Sequence, residues 1–153
     1  MKSLEMKIPP VVLVLVCVSF IGILANTVSL SLFSTEIRLL TSALLTFVAA
    51  AVCVAGVVQF KLHQTTVNPM NPESASSLVQ SGIYKFTRNP MYLGFAIFLF
   101  ACAWYVSSIG GFLVVPLFVF YMNVFQIKPE ERALGKLFGE EYSDYKNRVR
   151  RWA

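Results

Sequence analysis

Two short stretches of this 153-residue sequence carry most of the side chains that could bind or transform a small polar molecule. The first reads TRNPMYLG and supplies Arg88, Tyr92 and Gly94. The second reads KPEER and supplies Glu130 and Glu131. An arginine can hold a carboxylate, a carboxylate can hold an ammonium group or hydroxyls, and an aromatic ring can face a cation. Together these residue types suit a zwitterionic or cationic small molecule that carries a flat ring.

The composition indicates that these residues sit in a membrane protein. Hydrophobic residues make up 56% of the chain and charged residues 14%, whereas soluble domains carry about 25% charged residues. Three long runs, 8–35, 39–60 and 89–127, contain no charged residue and no histidine. A helix of about 20 apolar residues crosses a bilayer, so the first two runs each predict one span. The third run is long enough for two short spans, with a break at the serines and glycines of 107–111.

We therefore predict an all-α integral membrane helical bundle that forms one domain over residues 1–153. The expected elements are spans at about 9–33, 38–60, 90–107 and 110–127, a cytoplasmic loop at 61–89 and a cytoplasmic amphipathic helix at 129–151. The short turn between the first two spans predicts that they are antiparallel neighbours. Each half of the third run is close to the lower length limit for a span, so a re-entrant pair that does not fully cross is an alternative.

The basic residues predict the orientation. Of the 13 lysines and arginines, 12 fall on one side of this topology and only Arg38 falls on the other. The positive-inside rule then places both termini and the long loop in the cytoplasm, and we expect a bacterial inner membrane protein. The net charge of +5 follows from this topology and from attraction to anionic lipid, so no nucleic-acid partner is expected.

The polar C-terminal segment is predicted to form the amphipathic helix. Pro129 suits its first turn, and Gly139 is expected to split it. Apolar side chains recur at helical spacing and form one stripe: Leu134, Phe138, Tyr142, Tyr145, Val149 and Trp152. The terminal cluster Arg148, Arg150, Arg151 and Trp152 is expected to rest on lipid headgroups.

The two chemical stretches are expected to meet at the membrane surface. Spans three and four form an antiparallel hairpin, so residues 88–94 and 126–131 must lie at the same end. Asn89 is expected to cap the third span through its side chain, with Pro90 in the first turn. Gly94 lacks a side chain one turn further on, which allows close approach by either a neighbouring helix or a ligand.

These motifs resemble a known family. SGIYKFTRNPMYLG, followed about 35 residues later by PEERALGKLFGEEYSDYKNRVRRW, is similar to the isoprenylcysteine carboxyl methyltransferase and phospholipid methyltransferase superfamily of integral membrane enzymes. The resemblance covers residues 65–152. It implies that S-adenosylmethionine is the methyl donor, bound at the cytoplasmic end of the last two spans beneath the C-terminal helix.

The resemblance also suggests the site residues. Arg88, Asn89, Pro90, Tyr92 and Gly94 fall on the first family motif, Glu130 and Glu131 on the second, and Tyr84, Tyr142 and Tyr145 on flanking aromatic positions. Gln126, at the end of the fourth span, completes the expected cofactor-binding set. Arg88 and Glu130 are the catalytic candidates. Asn89 stands where family members often have histidine, so the base, if one is needed, is left open among Glu130, Glu131 and a tyrosine.

The acceptor and the competing functions stay open at this stage. A lipophilic or small molecule with a carboxylate, thiol or amine would fit, and it would approach sideways between spans three and four. One alternative is a reductase that uses NADPH, related to sterol reductases. Another is a non-enzymatic membrane subunit. The three cysteines have no metal-ligand spacing, so no metal is expected, and the oligomeric state cannot be predicted.

Overall fold

The computed structural model describes residues 5–26, 30, 33–64 and 76–153. Across these residues all regular structure is helical and no β-strand occurs, so the predicted all-α class is confirmed. Parts of two predicted elements lie outside the described residues, namely 65–75 of the loop and 27–29 and 31–32 of the first span.

The described residues form five α-helices. They are α1 (Pro10–Ile23), α2 (Thr35–Leu62), α3 (Pro90–Val106), α4 (Ile109–Tyr121) and α5 (Lys128–Arg148). Short 3-10 helices cover Leu24–Asn26 and Gly82–Lys85, and π-helical turns cover Met122–Ile127. Local sequence explains several starts. Pro10 and Pro90 occupy first turns, where no backbone donor is lost, and the Ser34 side chain accepts a bond from the Ile37 N–H at 3.5 Å.

Among the described residues, two helices are long and apolar enough to cross a membrane on their own, whereas four spans were expected from the sequence. They are α2 and the continuous helix Ile109–Arg148, whose apolar part ends before Lys128. Helices α1 and α3 are apolar but have only 14 and 17 residues. Outward-facing side chains such as Phe47 (73% exposed) and Leu117 (66% exposed) form large apolar surfaces. Such surfaces are typical of proteins that associate with membranes.

Helix α3 lies at the centre of the packing. It contacts α2 extensively and also packs against α4 and α1, while α1 packs on α3 and α4. The first two spans were expected to be antiparallel neighbours, but the extensive packing partner of α2 is α3, and α1 faces α2 across a groove. Close approach of α2 and α3 depends on glycine. A side chain at Gly56 would lie 3.1 Å from side-chain atoms of both Pro90 and Met91.

The predicted break between the last two apolar helices is present at Ser107 and Ser108. Ser107 adopts a left-handed conformation with φ 55° and ends α3. The Ser108 side chain then caps α4 by accepting a bond from the Gly111 N–H at 3.1 Å. The resulting hairpin returns the chain toward the start of α3.

The N-terminal segment lies at that same end of the bundle. The Met6 N–H donates to the Phe125 carbonyl at 2.9 Å, and Glu5 forms an ion pair with Arg132. The described N-terminal residues, the start of α3 and the start of α5 therefore share one end.

The C-terminal helix differs from its prediction in how it begins. The chain stays helical from α4 through the π-helical turns into α5, so no break separates the fourth apolar helix from the polar one. Gly139, at φ 54° and ψ −121°, interrupts α5 as expected. The apolar stripe of α5 packs against the end of the loop. That cluster comprises Phe60, Leu78, Val79, Ile83, Tyr84, Leu134, Phe138, Tyr142, Tyr145 and Val149.

Candidate active site

The two motifs meet where α3 and α5 begin. The Tyr92 hydroxyl donates to Glu130 Oε2 at 3.1 Å. Arg88 forms an ion pair with Glu131, with 3.1 Å between its Nη1 and Glu131 Oε1. Each contact joins residues about 40 positions apart in the sequence. The hairpin thus brings together the arginine, the aromatic ring and the two carboxylates that the sequence placed at one site.

Glu130 lies in a water-poor position just beyond the apolar part of its helix. Burial raises the pKa of its carboxyl to about 7, and the negative charge of Glu131 acts in the same direction. The hydrogen bond from Tyr92 opposes this rise, because it stabilises the ionised form. The carboxylate has four lone-pair sites, and Tyr92 occupies only one, so Glu130 retains the capacity to bind another donor.

Glu131, in contrast, has both oxygens occupied by arginines. Arg151 Nε donates to Oε1 at 2.9 Å and its Nη2 to Oε2 at 2.7 Å, while Arg88 shares Oε1. The Arg88 and Glu131 side chains are only 9% and 11% exposed. Arg88 Nε is buried and has no hydrogen-bond partner among the described residues. Arg88 therefore has at least one buried donor, Nε–H, that no described residue accepts.

Three of the expected site residues, Tyr84, Tyr142 and Tyr145, line the side of the site formed by α5 and the end of the loop. Arg88 Nη1 lies 3.5 Å from the Tyr142 hydroxyl, within donating distance. The Tyr145 hydroxyl donates to the Tyr84 carbonyl at 2.8 Å, which ties α5 to the 3-10 helix Gly82–Lys85. Burial raises the pKa of all three hydroxyls, so they stay protonated near neutral pH. They can donate hydrogen bonds, and as neutral groups they are poor bases.

Gln126 lies in the π-helical turns Met122–Ile127, and its side chain enters the site. Its side chain is 2% exposed and interacts with the Tyr92 hydroxyl. A π-helical turn inserts an extra residue and reorients the side chains that follow, and such turns are frequent at functional sites. The sequence gives no clear signal for this segment, although Gln126 itself was expected at the site.

Asn89 and Pro90 have structural roles that differ in part from expectation. Asn89 is the residue before α3, but its side chain accepts no bond from the helix. Its Nδ2 donates instead to the Arg151 carbonyl at 2.9 Å, so the predicted side-chain cap is wrong. Pro90 is buried in the first turn of α3 and contacts Gly56 of α2.

Gly94 faces a helix. A side chain at this position would lie 2.8 Å from the Ala49 carbonyl oxygen and would also collide with Cys53, both on α2. The neighbouring-helix alternative for Gly94 therefore accounts for its environment.

The last residues of the chain enter the site, which the sequence analysis missed. The expectation that the terminal cluster rests on lipid headgroups is wrong for Arg151, which pairs with Glu131, and for Trp152. Trp152 packs against the main apolar core, and its Nε1 donates to Asn123 Oδ1 at 3.1 Å. The position of Trp152 on the apolar stripe predicts that its side chain is buried. It does not predict the helices against which this side chain packs.

An apolar groove of about 690 Å³ lies away from this site. It is lined by α1, α2 and the last part of α3, including Ser42, Phe47, Cys102 and Tyr105. These α3 residues are at the opposite end of the helix from Tyr92. The groove therefore does not coincide with the expected approach between the third and fourth spans.

The sequence comparisons identify the family. Residues 37–141, more than half of the chain, match the profile of the phospholipid methyltransferase family. This protein belongs to that family. The matched region includes nearly all of α2 as well as the two motifs, so the family pattern extends further toward the N-terminus than the motif resemblance did.

Three relatives are similar to parts of this chain. Methanethiol S-methyltransferase 1 of Bradyrhizobium diazoefficiens is 38% identical over 91 residues, which are 59% of this chain and 31% of the relative. Protein-S-isoprenylcysteine O-methyltransferase of Saccharomyces cerevisiae is 36% identical over 84 residues, 50% of this chain and 32% of the relative. A Haemophilus influenzae protein described as uncharacterized is 40% identical over 62 residues, 40% of this chain and 98% of the relative.

The matches to the two named enzymes are partial. This chain spans about a third of the length of each. No solved structure matches the chain significantly.

Proposed function

We propose that this protein is a membrane methyltransferase that moves a methyl group from S-adenosylmethionine to a lipophilic or small acceptor at the cytoplasmic face. The observation that carries the proposal is the joining of the two motifs through the contacts Tyr92–Glu130 and Arg88–Glu131. Family membership and the two relatives named as methyltransferases support it.

The side chains present suit the amino-acid end of this donor. That end carries an ammonium and a carboxylate, and the site offers a carboxylate with spare lone pairs, Glu130, and a buried unpaired guanidinium donor, Arg88 Nε. Charge-assisted bonds of this kind are roughly twice as strong as neutral ones. Glu131 is less suitable as a ligand than its neighbour, because two arginines already occupy it.

When bound, S-adenosylmethionine supplies an electrophilic methyl group for direct in-line displacement. The protein contributes position and environment. Correct alignment of two reactants can supply about 7–11 kcal/mol of the barrier reduction. Tyr92, Gln126 and Glu130 are buried or partly buried, and a water-poor site favours an anionic nucleophile approaching a cationic centre.

The acceptor is best sought among thiols and carboxylates. The relatives are named for methanethiol and for isoprenylcysteine, and the nucleophile in each such case can be an anion. An amine acceptor would need a base. Glu130 is the candidate, since its carboxyl pKa of about 7 lets it exchange a proton near neutral pH.

The proposed placement follows the charge distribution. We place both termini and the site on the cytoplasmic side of a bacterial inner membrane, with α1 and α3 completing four membrane-inserted segments. Twelve of the 13 basic residues support this orientation.

Ligand binding and product analysis test the proposal. The full chain, purified in detergent, should bind S-adenosylmethionine and S-adenosylhomocysteine in preference to NADPH. Incubation with methyl-labelled donor and a lipid and thiol extract should then label an extractable product. Preference for NADPH would favour the reductase alternative, and no binding to any of the three would favour a non-enzymatic membrane subunit.

A further inference from the structure

The segment after α5 folds back onto the residues that precede α3. The Arg88 N–H donates to the Arg150 carbonyl at 3.0 Å. Asn89 Nδ2 donates to the Arg151 carbonyl at 2.9 Å, and Thr87 Oγ1 donates to the same carbonyl at 3.3 Å. Two carbonyls of the chain end thus receive three bonds from residues 87–89. This terminal segment, 149–152, is part of the framework of the site.

Trp152 fixes the end of that segment. Its indole donates to Asn123, in the π-helical turns, and its ring packs against the core formed by α1, α3 and α4. An aromatic side chain with one satisfied polar atom is a strong local anchor. The backbone of Arg151 is therefore held in two ways. Residues 87–89 donate hydrogen bonds to the carbonyls of Arg150 and Arg151, and the side chain of the next residue, Trp152, is anchored in the core.

Arg151 pairs with Glu131 rather than with Glu130. Its two parallel bonds to Glu131, at 2.9 and 2.7 Å, satisfy that side chain together with Arg88. Among the described residues, Glu130 receives a side-chain hydrogen bond from Tyr92 alone, and the negative charge of Glu131 lies close to it. Tyr84 and Tyr142 are also nearby. Without Arg151, Glu131 would have one arginine for two oxygens and would compete for any cationic group.

We propose that Arg151 is a positioning residue of the candidate site, which neutralises Glu131, holds Arg88 through it, and leaves Glu130 as the carboxylate that receives a cationic ligand. This inference rests on the proposed function for the identity of the ligand. It assigns Arg151 a role that the family resemblance did not suggest.

The test compares Arg151→Ala and Arg151→Lys with Lys146→Ala, a control at an exposed basic residue of α5. S-adenosylmethionine affinity of the full chain in detergent is measured by calorimetry between pH 6 and pH 9. Arg151→Ala should weaken binding about tenfold or more and move the rise of affinity to higher pH, because the unmatched charge of Glu131 raises the pKa of Glu130 further.

Arg151→Lys keeps the charge but loses the parallel geometry, so it should restore affinity only in part. Lys146→Ala should stay within about twofold of the unchanged protein. Wild-type affinity and pH profile in Arg151→Ala would overturn the inference.

A ligand-free readout separates this inference from the proposed function. Infrared titration of the Glu130 carboxyl, assigned by its loss in Glu130→Gln, should show a higher midpoint in Arg151→Ala than in the unchanged protein. If the unchanged protein does not bind the donor, the proposed function fails, and this titration alone decides the inference. An unmoved midpoint would overturn it.

Discussion

Neighbouring glutamates at residues 130 and 131 have different chemical surroundings, although the sequence treats them as one pair. One is held by a tyrosine and keeps lone pairs free, whereas the other is enclosed by two arginines. A carboxylate bound by two guanidinium groups has little capacity left for a ligand. At the scale of single residues, Glu130 is therefore the binding candidate and Glu131 the structural one.

Replacing Glu130 tests its binding role. Glu130→Gln keeps the shape and the acceptor for Tyr92 but removes the charge, so S-adenosylmethionine affinity should fall about 10- to 100-fold at pH 8. Glu140→Gln is the matched control, since Glu140 is an exposed residue of the same helix. Equal affinities for the two variants, measured by calorimetry, would remove Glu130 from the donor site.

Glu131→Gln should act mainly on stability. It leaves Arg88 and Arg151 without their common counter-ion in a position only about a tenth exposed, and breaking a buried pair in this way costs about 3–5 kcal/mol at most. We expect its thermal unfolding midpoint in detergent to fall well below that of Glu130→Gln. A midpoint unchanged from the unmodified protein would show that the arginine cluster contributes little.

Glu130 also links folding to pH with an unusual sign. Because its folded-state pKa is raised from 4.5 to about 7, the folded chain binds more protons than the unfolded chain between these values. Stability should therefore fall as the pH rises from about 4.5 to 7 and then level off. Glu130→Gln removes this effect, so at pH 8 it should be more stable by about 1–3 kcal/mol. Chemical unfolding at pH 5 and pH 8 checks both parts, and the variant should gain nothing at pH 5 if burial is the cause.

At the scale of elements, the α2–α3 contact supports the position of the first turn of α3, which carries Tyr92. Gly94 and Gly56 are positions where the two helices approach closely, next to the first turn of α3 that carries Pro90 and Tyr92. Without side chains at these glycines, the backbones of membrane helices can come together. Helix packing at Gly94 thus supports the position of Tyr92 without Gly94 touching the ligand.

Gly94→Ala should therefore lower stability. The added methyl group would lie 2.8 Å from the Ala49 carbonyl oxygen, a backbone atom that cannot rotate away, so we expect a loss of about 1–3 kcal/mol. Gly22→Ala is the control, because nothing lies within 4 Å of a side chain at that position. Unfolding in mixed micelles compares the two. A destabilised Gly22→Ala with a normal Gly94→Ala would mean that α2 and α3 pack differently.

At the scale of the whole molecule, much of the arrangement could be predicted because it depends on long uniform patterns. Charge-free runs predict apolar helices, and the serines and glycines at 107–111 predict the turn that folds the last two together. That turn alone places residues 88–92 near residues 126–131. Packing partners could not be predicted in the same way, since apolar helix faces are alike, and α3 rather than α1 makes the extensive contact with α2.

Other features that sequence reasoning missed depend on individual bonds of the folded chain. The π-helical turns before Lys128, the Asn89 bond to the Arg151 carbonyl and the Arg151–Glu131 pair have no periodicity to reveal them. From sequence alone, an arginine near the end of a membrane protein is interpreted as a contact to lipid headgroups, because its carboxylate partner is not known. Such contacts are set by the folded geometry, so only coordinates reveal them.

The orientation of the whole molecule leads to the last prediction. Glu36 begins α2 at the end that carries Arg38, whereas Lys136 lies on α5 at the end that carries the site. With Cys17, Cys53 and Cys102 replaced by alanine, Glu36→Cys should react with an impermeant maleimide on intact cells, because the positive-inside rule places it outside. Lys136→Cys should react only after the cells are permeabilised. Labelling of both residues on intact cells would contradict the topology and would place the candidate site away from the cytosolic supply of donor.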